Sequence, residues 1–327
     1  MTTRLVSGIW VLIHTATDRF SYVSGETSQG AKGILKMAFS TLIREDTCSE
    51  CGATLSAASR HCSTCRADAG APNVRACRTD ENLKALVARY DASRSQASAL
   101  GFSKEFSDLE AIVEKKSGVV VSMPAGVVRN LLDDPKSIYV NYERLVGADV
   151  RRPADSDNDR HRCAVGGQLF GSYADKIVYG VLSLTKDGLC TYGDVYCRLR
   201  SVTIEKRTSF LETNSYKFIR DHNIVAGDKL PIGYAACWIC RHNLVLVKLS
   251  DSLSKGQTES DWQALLIHSD GQNRENDDFI EAHIFEGFNR NAIESVVPVT
   301  GVKLSREKRI DLDITTSKFN RLVGKTK

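Results

Sequence analysis

Phe279-Ile-Glu-Ala-His-Ile-Phe285 alternates strictly: Ile280, Ala282 and Ile284 share one side, and Phe279, Glu281, His283 and Phe285 share the other. Period-two alternation marks a strand with two different faces. A single carboxylate among aromatics on the second face is the pattern of a strand that lines a pocket. Upstream, Val178 to Thr185 and Tyr192 to Arg200 read as two strands joined by Lys186-Asp-Gly188, with Val181, Leu182 and Leu184 facing a core. From Pro135 to Val302 the chain reads as many short strands separated by Gly, Asp and Asn.

Before Pro135 the periodicity is helical. Glu81 to Ala99 and Ser107 to Lys116 carry apolar residues at helical spacing, the second opening with a capping-type Ser107-Asp-Leu-Glu110. Val119 to Val121 is β-branched, and Ser122-Met-Pro124 is expected to cap and start a helix through Val127, Val128, Leu131 and Leu132. Near the start, Leu5 to His14 and Phe20 to Val23 read as a hairpin, and Ile34 to Ile43 as an amphipathic helix. The expected fold class is α+β. Its parts are a hairpin and helix over 1–45, a cysteine-rich unit over 46–80, a helical segment over 81–136, a strand-rich domain over 137–302 and a basic tail over 303–327.

The chain has 327 residues and 42% apolar content, enough for two or three folded units. A formal charge of +4 is too small to mark a polyanion-binding protein as a whole, so any nucleic-acid surface is a local patch. The early apolar run, Val6 to Ile13, falls far short of the roughly 20 residues that cross a bilayer. Met1 to Thr15 lacks the layout of a secretory signal. The expectation is a cytoplasmic protein without membrane contact, whose ten cysteines are thiols or metal ligands.

Cys48-Ser-Glu-Cys51 and Cys62-Ser-Thr-Cys65 are two CxxC pairs with ten residues between them. Each pair offers two thiolates from one tight knuckle, and two facing knuckles make a tetrahedral sulfur site for Zn²⁺. Four Cys leave no open position for water, so the metal is expected to be structural. His61, beside Cys62, is either an exposed loop residue or a support for the site. Cys237-Trp-Ile-Cys240 lies in an apolar run, with Cys190 and Cys197 as the available partner thiols, and reads as core.

Gly166-Gly-Gln-Leu-Phe-Gly-Ser-Tyr173, Val178-Tyr-Gly-Val-Leu-Ser-Leu184, Tyr192-Gly-Asp-Val195, Arg207-Thr-Ser-Phe210 with Asn214-Ser215, and Asp277-Asp-Phe-Ile-Glu-Ala-His283 follow one another in an order and spacing that resemble a family. The family is the bacterial ADP-ribosyltransferase-like toxins, and the likeness spans roughly residues 137 to 300. Within it the chain resembles toxins of anti-phage toxin–antitoxin–chaperone systems, whose implied target is messenger RNA. Where the family commonly has Glu-Ala-Gln, this chain has Glu281-Ala-His283.

The resemblance implies a split, strand-rich core that binds NAD and transfers its ADP-ribose to RNA, with protein as the other acceptor class. It further implies an antitoxin partner and a chaperone that accompanies it. Glu281 matches the family's glutamate, which steadies the positive ribose centre. His283 either contacts the acceptor or replaces the family's Gln. An Arg on the first strand, expected over Ser137 to Val146, holds NAD phosphate; Arg144 is the choice, with Arg151 and Arg152 as rivals. Tyr179, Tyr192, Thr208 and Ser209 match positions that wall the nicotinamide or pack the core. Lys303 to Lys327 holds eight Lys or Arg against three acids, either a solvated segment or a phosphate-binding strip. The reading from another class is a non-catalytic zinc-ribbon protein that binds nucleic acid.

Overall fold

The computed structural model describes residues 2–6, 9–13, 47–147, 164–225, 228–269, 274–299 and 305–324. Residues 1–42 and 43–327 form separate units. In the first, β1 (Thr2–Val6) pairs antiparallel with β2 (Ile9–Ile13). The early apolar run therefore closes a hairpin on the residues just before it, and Leu5 pairs with Trp10. Phe20 to Val23 and the helix expected over Ile34 to Ile43 lie outside the described residues.

The second unit is built around β3 (Gly118–Met123). Val119, Val120, Val121 and Met123 are all buried, as expected of a β-branched run covered on both faces. The sheet continues through β4 (Ile177–Ser183), β5 (Val195–Leu199), β6 (Thr208–Leu211) and β7 (Ala235–Cys237). A short pair, β8 (Ile267–His268) and β9 (Asp278–Phe279), precedes β10 (Glu281–Phe285) and β11 (Ile293–Pro298). The large sheet runs β11-β5-β3-β4-β10-β6-β7, and every pairing in it is antiparallel.

One expectation fails here: β3 lies between β4 and β5, and the strands hydrogen-bond as one sheet instead of a split one.

Helices α1 (Pro72–Cys77), α2 (Asp80–Ala99) and α3 (Ser103–Lys116) precede β3, and α4 (Ala125–Asp133) follows it. Pro124 is the residue before the first turn of α4, while Ser122 stays in β3 and accepts from the Leu189 amide, so Ser122 caps nothing. The region beyond Pro135 holds more helix than its sequence suggested. It contains α5 (Tyr142–Gly147), α6 over 164–170, α7 (Ser215–Asp221), α8 (Arg241–Leu249), α9 (Glu259–Leu266) and α10 (Arg306–Gly324).

The apolar run Tyr234 to Val247 splits between β7 and α8. Helix α8 packs against α2 and α3, and Leu86, Leu109, Val113, Leu244, Val245 and Leu246 there are fully buried. Burial of each such side chain stabilises by about 1.5–3 kcal/mol. Arg241 is itself buried and closes α3: its guanidinium donates to the carbonyls of Val113 and Glu114, to the Trp238 carbonyl and to the Ser117 hydroxyl. A cation on the last carbonyls of a helix satisfies groups with no partner inside the helix.

Candidate functional site

The alternation of β10 survives folding. Ile280, Ala282 and Ile284 are fully buried on the apolar side, and Glu281 and Phe279 line a cavity of ≈ 250 Å³. β3 and β4 supply further lining through Val120, Ser122 and the stretch Val178 to Val181. Asn141 and Tyr142 close one side, and Asn214 to Lys217 with Arg220 close another. Tyr192, Arg274 and Asp277 also reach it.

Glu281 is 7% exposed, and its contacts fall on one oxygen. Oε2 accepts from the Ser215 amide at 2.9 Å, from the Ser215 hydroxyl, and lies 3.0 Å from His283 Nε2. Strand geometry explains the last of these, since residues two apart on a strand share a face. His283 does not line the cavity. Its ring packs edge-on to Phe170 at 4.8 Å and to Tyr179 at 5.5 Å, with Nε2 turned to Glu281 and 3.4 Å from the Ser215 hydroxyl. The arrangement fixes the carboxylate by one oxygen. Among the described residues no hydrogen bond reaches Oε1.

Ser215 owes its place to Asn214, whose side chain accepts from the Tyr216 and Lys217 amides and caps α7. Asn214-Ser215 is visible in the sequence only as part of the family likeness, with no role attached. Thr208 and Ser209 are buried in β6 and do not line the cavity. The Thr208 hydroxyl donates to the Ile204 carbonyl, and the Ser209 hydroxyl accepts from Asn73 on α1. Tyr179 and Tyr192 do line it.

Arg144 is exposed on α5 and does not line the cavity. The strand expected over Ser137 to Val146 is reduced to one bridge, Tyr139 with Phe288. Asn141 ends it: its side chain is held by the Ala174 and Ile177 carbonyls, and its own carbonyl accepts from the Leu145 amide to begin α5. Arg151 and Arg152 lie outside the described residues. Among the described residues the cations lining the cavity are Lys217, Arg220 and Arg274.

Arg274 stacks 4.7 Å over the Tyr192 ring and donates to the Thr191 carbonyl, while the Thr191 hydroxyl donates to Asp277 at 2.6 Å. Gly193 lets this loop lie on β3, since any side chain there would strike the Met123 backbone. Lys217 lies 3.7 Å from Asp278, which Lys248 contacts at 2.7 Å. Burial works against ionisation of Asp278, but Lys248 and Lys217 hold it below the usual carboxylate range.

The second cluster is the four-cysteine centre. The sulfurs of Cys48, Cys51, Cys62 and Cys65 lie within 4.8 Å of one another, with Cys48 to Cys65 at 3.5 Å and Cys51 to Cys62 at 3.6 Å. A tetrahedron with metal–sulfur bonds of about 2.3 Å has edges of roughly 3.8 Å. The four thiols could therefore hold a metal ion. The two knuckles repeat each other: Gly52 donates to Cys48 and Cys48 to Ala53, and Arg66 donates to Cys62 and Cys62 to Ala67. Gly52 at φ 71° and Arg66 at φ 66° occupy the same left-handed position, which the glycine takes without strain.

The amides of Cys65 and Thr64 lower the Cys62 thiol to about 6. His61 is exposed and outside the cluster. Cys190 and Cys197 join no second cluster; among the described residues the four N-terminal cysteines are the one metal-competent group.

Of the basic segment, Arg306–Gly324 forms a helix. Leu312 and Phe319 are buried, α10 packs on α4 and β11, and Lys318, Lys308 and Asp311 pair with Asp133, Asp194 and Arg129. Among the described residues no helix is long and apolar enough to cross a membrane. Comparison with known protein families and with curated proteins found no match for this chain.

Proposed function

We propose that this chain transfers ADP-ribose from NAD to a macromolecular acceptor, with RNA as the preferred class, and acts as a toxin held in check by an antitoxin partner and its chaperone. The observation that carries the reading is Glu281, a strand-borne carboxylate pinned by Oε2 and open by Oε1, beside tyrosines and three cations in one cavity. Oε1 accepts a hydrogen bond from a ribose hydroxyl, and its charge stabilises the oxocarbenium-like centre that forms as the bond to nicotinamide breaks. The acceptor's lone pair then forms the new bond at that carbon. Lys217, Arg220 and Arg274 take the phosphate contacts that the sequence suggested for Arg144. Tyr179 and Tyr192 supply ring faces for the nicotinamide.

The metal in the four-cysteine centre is zinc in this reading, and it fixes the N-terminal knuckles instead of taking part in transfer. RNA is preferred as acceptor because a ribbon of this kind accompanies the exposed Arg306 and Arg309 of α10. Calorimetric titration with NAD tests the reading. A saturable single site supports it, and the absence of heat at millimolar NAD contradicts it in favour of a non-catalytic nucleic-acid-binding protein.

A further inference from the structure

Cys237-Trp-Ile-Cys240 joins the end of β7 to the start of α8, and its two sulfurs lie 3.8 Å apart as free thiols. A disulfide needs about 2.05 Å between sulfurs. The gap is closed by rotating side chains, since one tight turn already sets both backbones. Ile239, between them, is 55% exposed, whereas each cysteine is only 3% exposed. The turn thus reaches the surface while its sulfurs stay just beneath it.

We propose that Cys237 and Cys240 form a redox site, a vicinal dithiol that a small hydroperoxide converts to an intramolecular disulfide and a thiol reductant restores. The Cys237 thiolate attacks one peroxide oxygen, the O–O bond breaks, and hydroxide leaves with a proton as water. Cys237 is then a sulfenic acid. The Cys240 sulfur attacks the Cys237 sulfur, the S–O bond breaks, and the departing hydroxide takes the Cys240 proton as a second water. Two thiols lose two electrons and two protons, and the peroxide is reduced to two waters.

The surroundings assign the roles. The Cys240 thiol beside it lowers the Cys237 thiol to about 6 against the opposing effect of burial, with Arg78 and the amides of Cys240 and Ile239 adding to the shift. Cys240 is pushed up by its neighbour and by burial, so it is the resolving thiol. Nucleophilic attack requires the thiolate. Cys237 is in register with Ser209, and Ser209 with His283, so the bond forms two strands from the strand that bears Glu281 and His283.

The test uses the full, reduced chain. Hydrogen peroxide is added at a dose that fully oxidises a free thiol control, remaining thiols are blocked with N-ethylmaleimide, and the protein is digested with trypsin without reductant. Leu230–Arg241 is one tryptic peptide and contains only these two cysteines. It should be recovered two hydrogens lighter and unalkylated, and dithiothreitol before blocking should restore both alkylations. Cys240→Ser should trap a dimedone adduct on Cys237, and Cys237→Ser none on Cys240. Recovery with both thiols alkylated, over-oxidation to sulfinic acid, or a link between Cys237 and Cys77 would each overturn the proposal.

Discussion

Ser215 and His283 both hold Glu281 by the same oxygen, Oε2, and in the proposed reaction the other oxygen meets the substrate. Replacing it by Gln keeps the volume and removes the charge, so transfer should fall by roughly two to three orders of magnitude. NAD affinity, measured by titration, should stay within a fewfold because the cations of the cavity are untouched. In the proposed reaction His283 is a positioning residue, since its Nε2 lies 3.0 Å from Glu281 Oε2. His283→Gln retains a donor for Oε2 and should keep most activity. His283→Phe fills the slot between Phe170 and Tyr179 without a donor, and loss of a hydrogen bond to a charged group, about 1.5–3 kcal/mol, should lower kcat roughly ten- to hundredfold with KM unchanged. Equal losses in the two variants would show that His283 only packs. Glu281 is legible in the sequence because alternation on a strand states which side chains share a face. Arg144, chosen from the family resemblance, stands exposed on α5 away from the cavity lining, and nothing in the Ile, Tyr and Val of Ser137 to Val146 reveals that the Ala174 and Ile177 carbonyls anchor Asn141 where α5 begins.

At the scale of elements, the entry to β10 puts a fully buried side chain, Ile280, next to one that lines the cavity, Glu281. Ile280→Gln buries an amide without a partner where Glu281→Gln does not, and should cost about 3 kcal/mol or more in denaturant unfolding. Full stability of that variant would reverse the assignment of faces. The two knuckles are the most readable element, because paired CxxC spacing states a chemistry and not merely a conformation. Purified protein should carry about one zinc per chain by elemental analysis, and Cys51→Ser should lose it and lower the melting temperature, since structural zinc contributes directly to folding. Metal-free, fully folded wild-type protein would contradict the zinc centre. The helices α2 and α4 are also readable from their periodicity. Helix α7 is not: Asn214-Ser215 caps only seven residues, too few to show a period.

For the whole molecule, periodicity tells a strand's face but not its neighbours. β3, read as a β-branched run within the helical segment over 81–136, sits between β4 and β5 although long stretches of chain separate it from both. Loop lengths and composition carry no trace of that insertion. The basic C-terminal segment behaves similarly, since Leu312 and Phe319 turn a run of charge into a packed helix whose Lys318 is already paired with Asp133. Arg306, Arg309 and Arg321 are exposed on α10. Their joint replacement by Ala should weaken RNA binding and reduce the logarithmic salt slope by roughly one unit for each phosphate no longer neutralised, while NAD cleavage persists. An unchanged slope would remove α10 from the interface. Group transfer is the central claim for this protein, and the most direct measurement is incubation of wild-type and Glu281→Gln protein with NAD labelled in its ADP-ribose part and a cell lysate, followed by separate nuclease and protease digestion. Wild type should leave label in macromolecules that ribonuclease removes, and Glu281→Gln should reduce it at least a hundredfold; equal labelling by the two proteins, or none by either, would contradict the assignment.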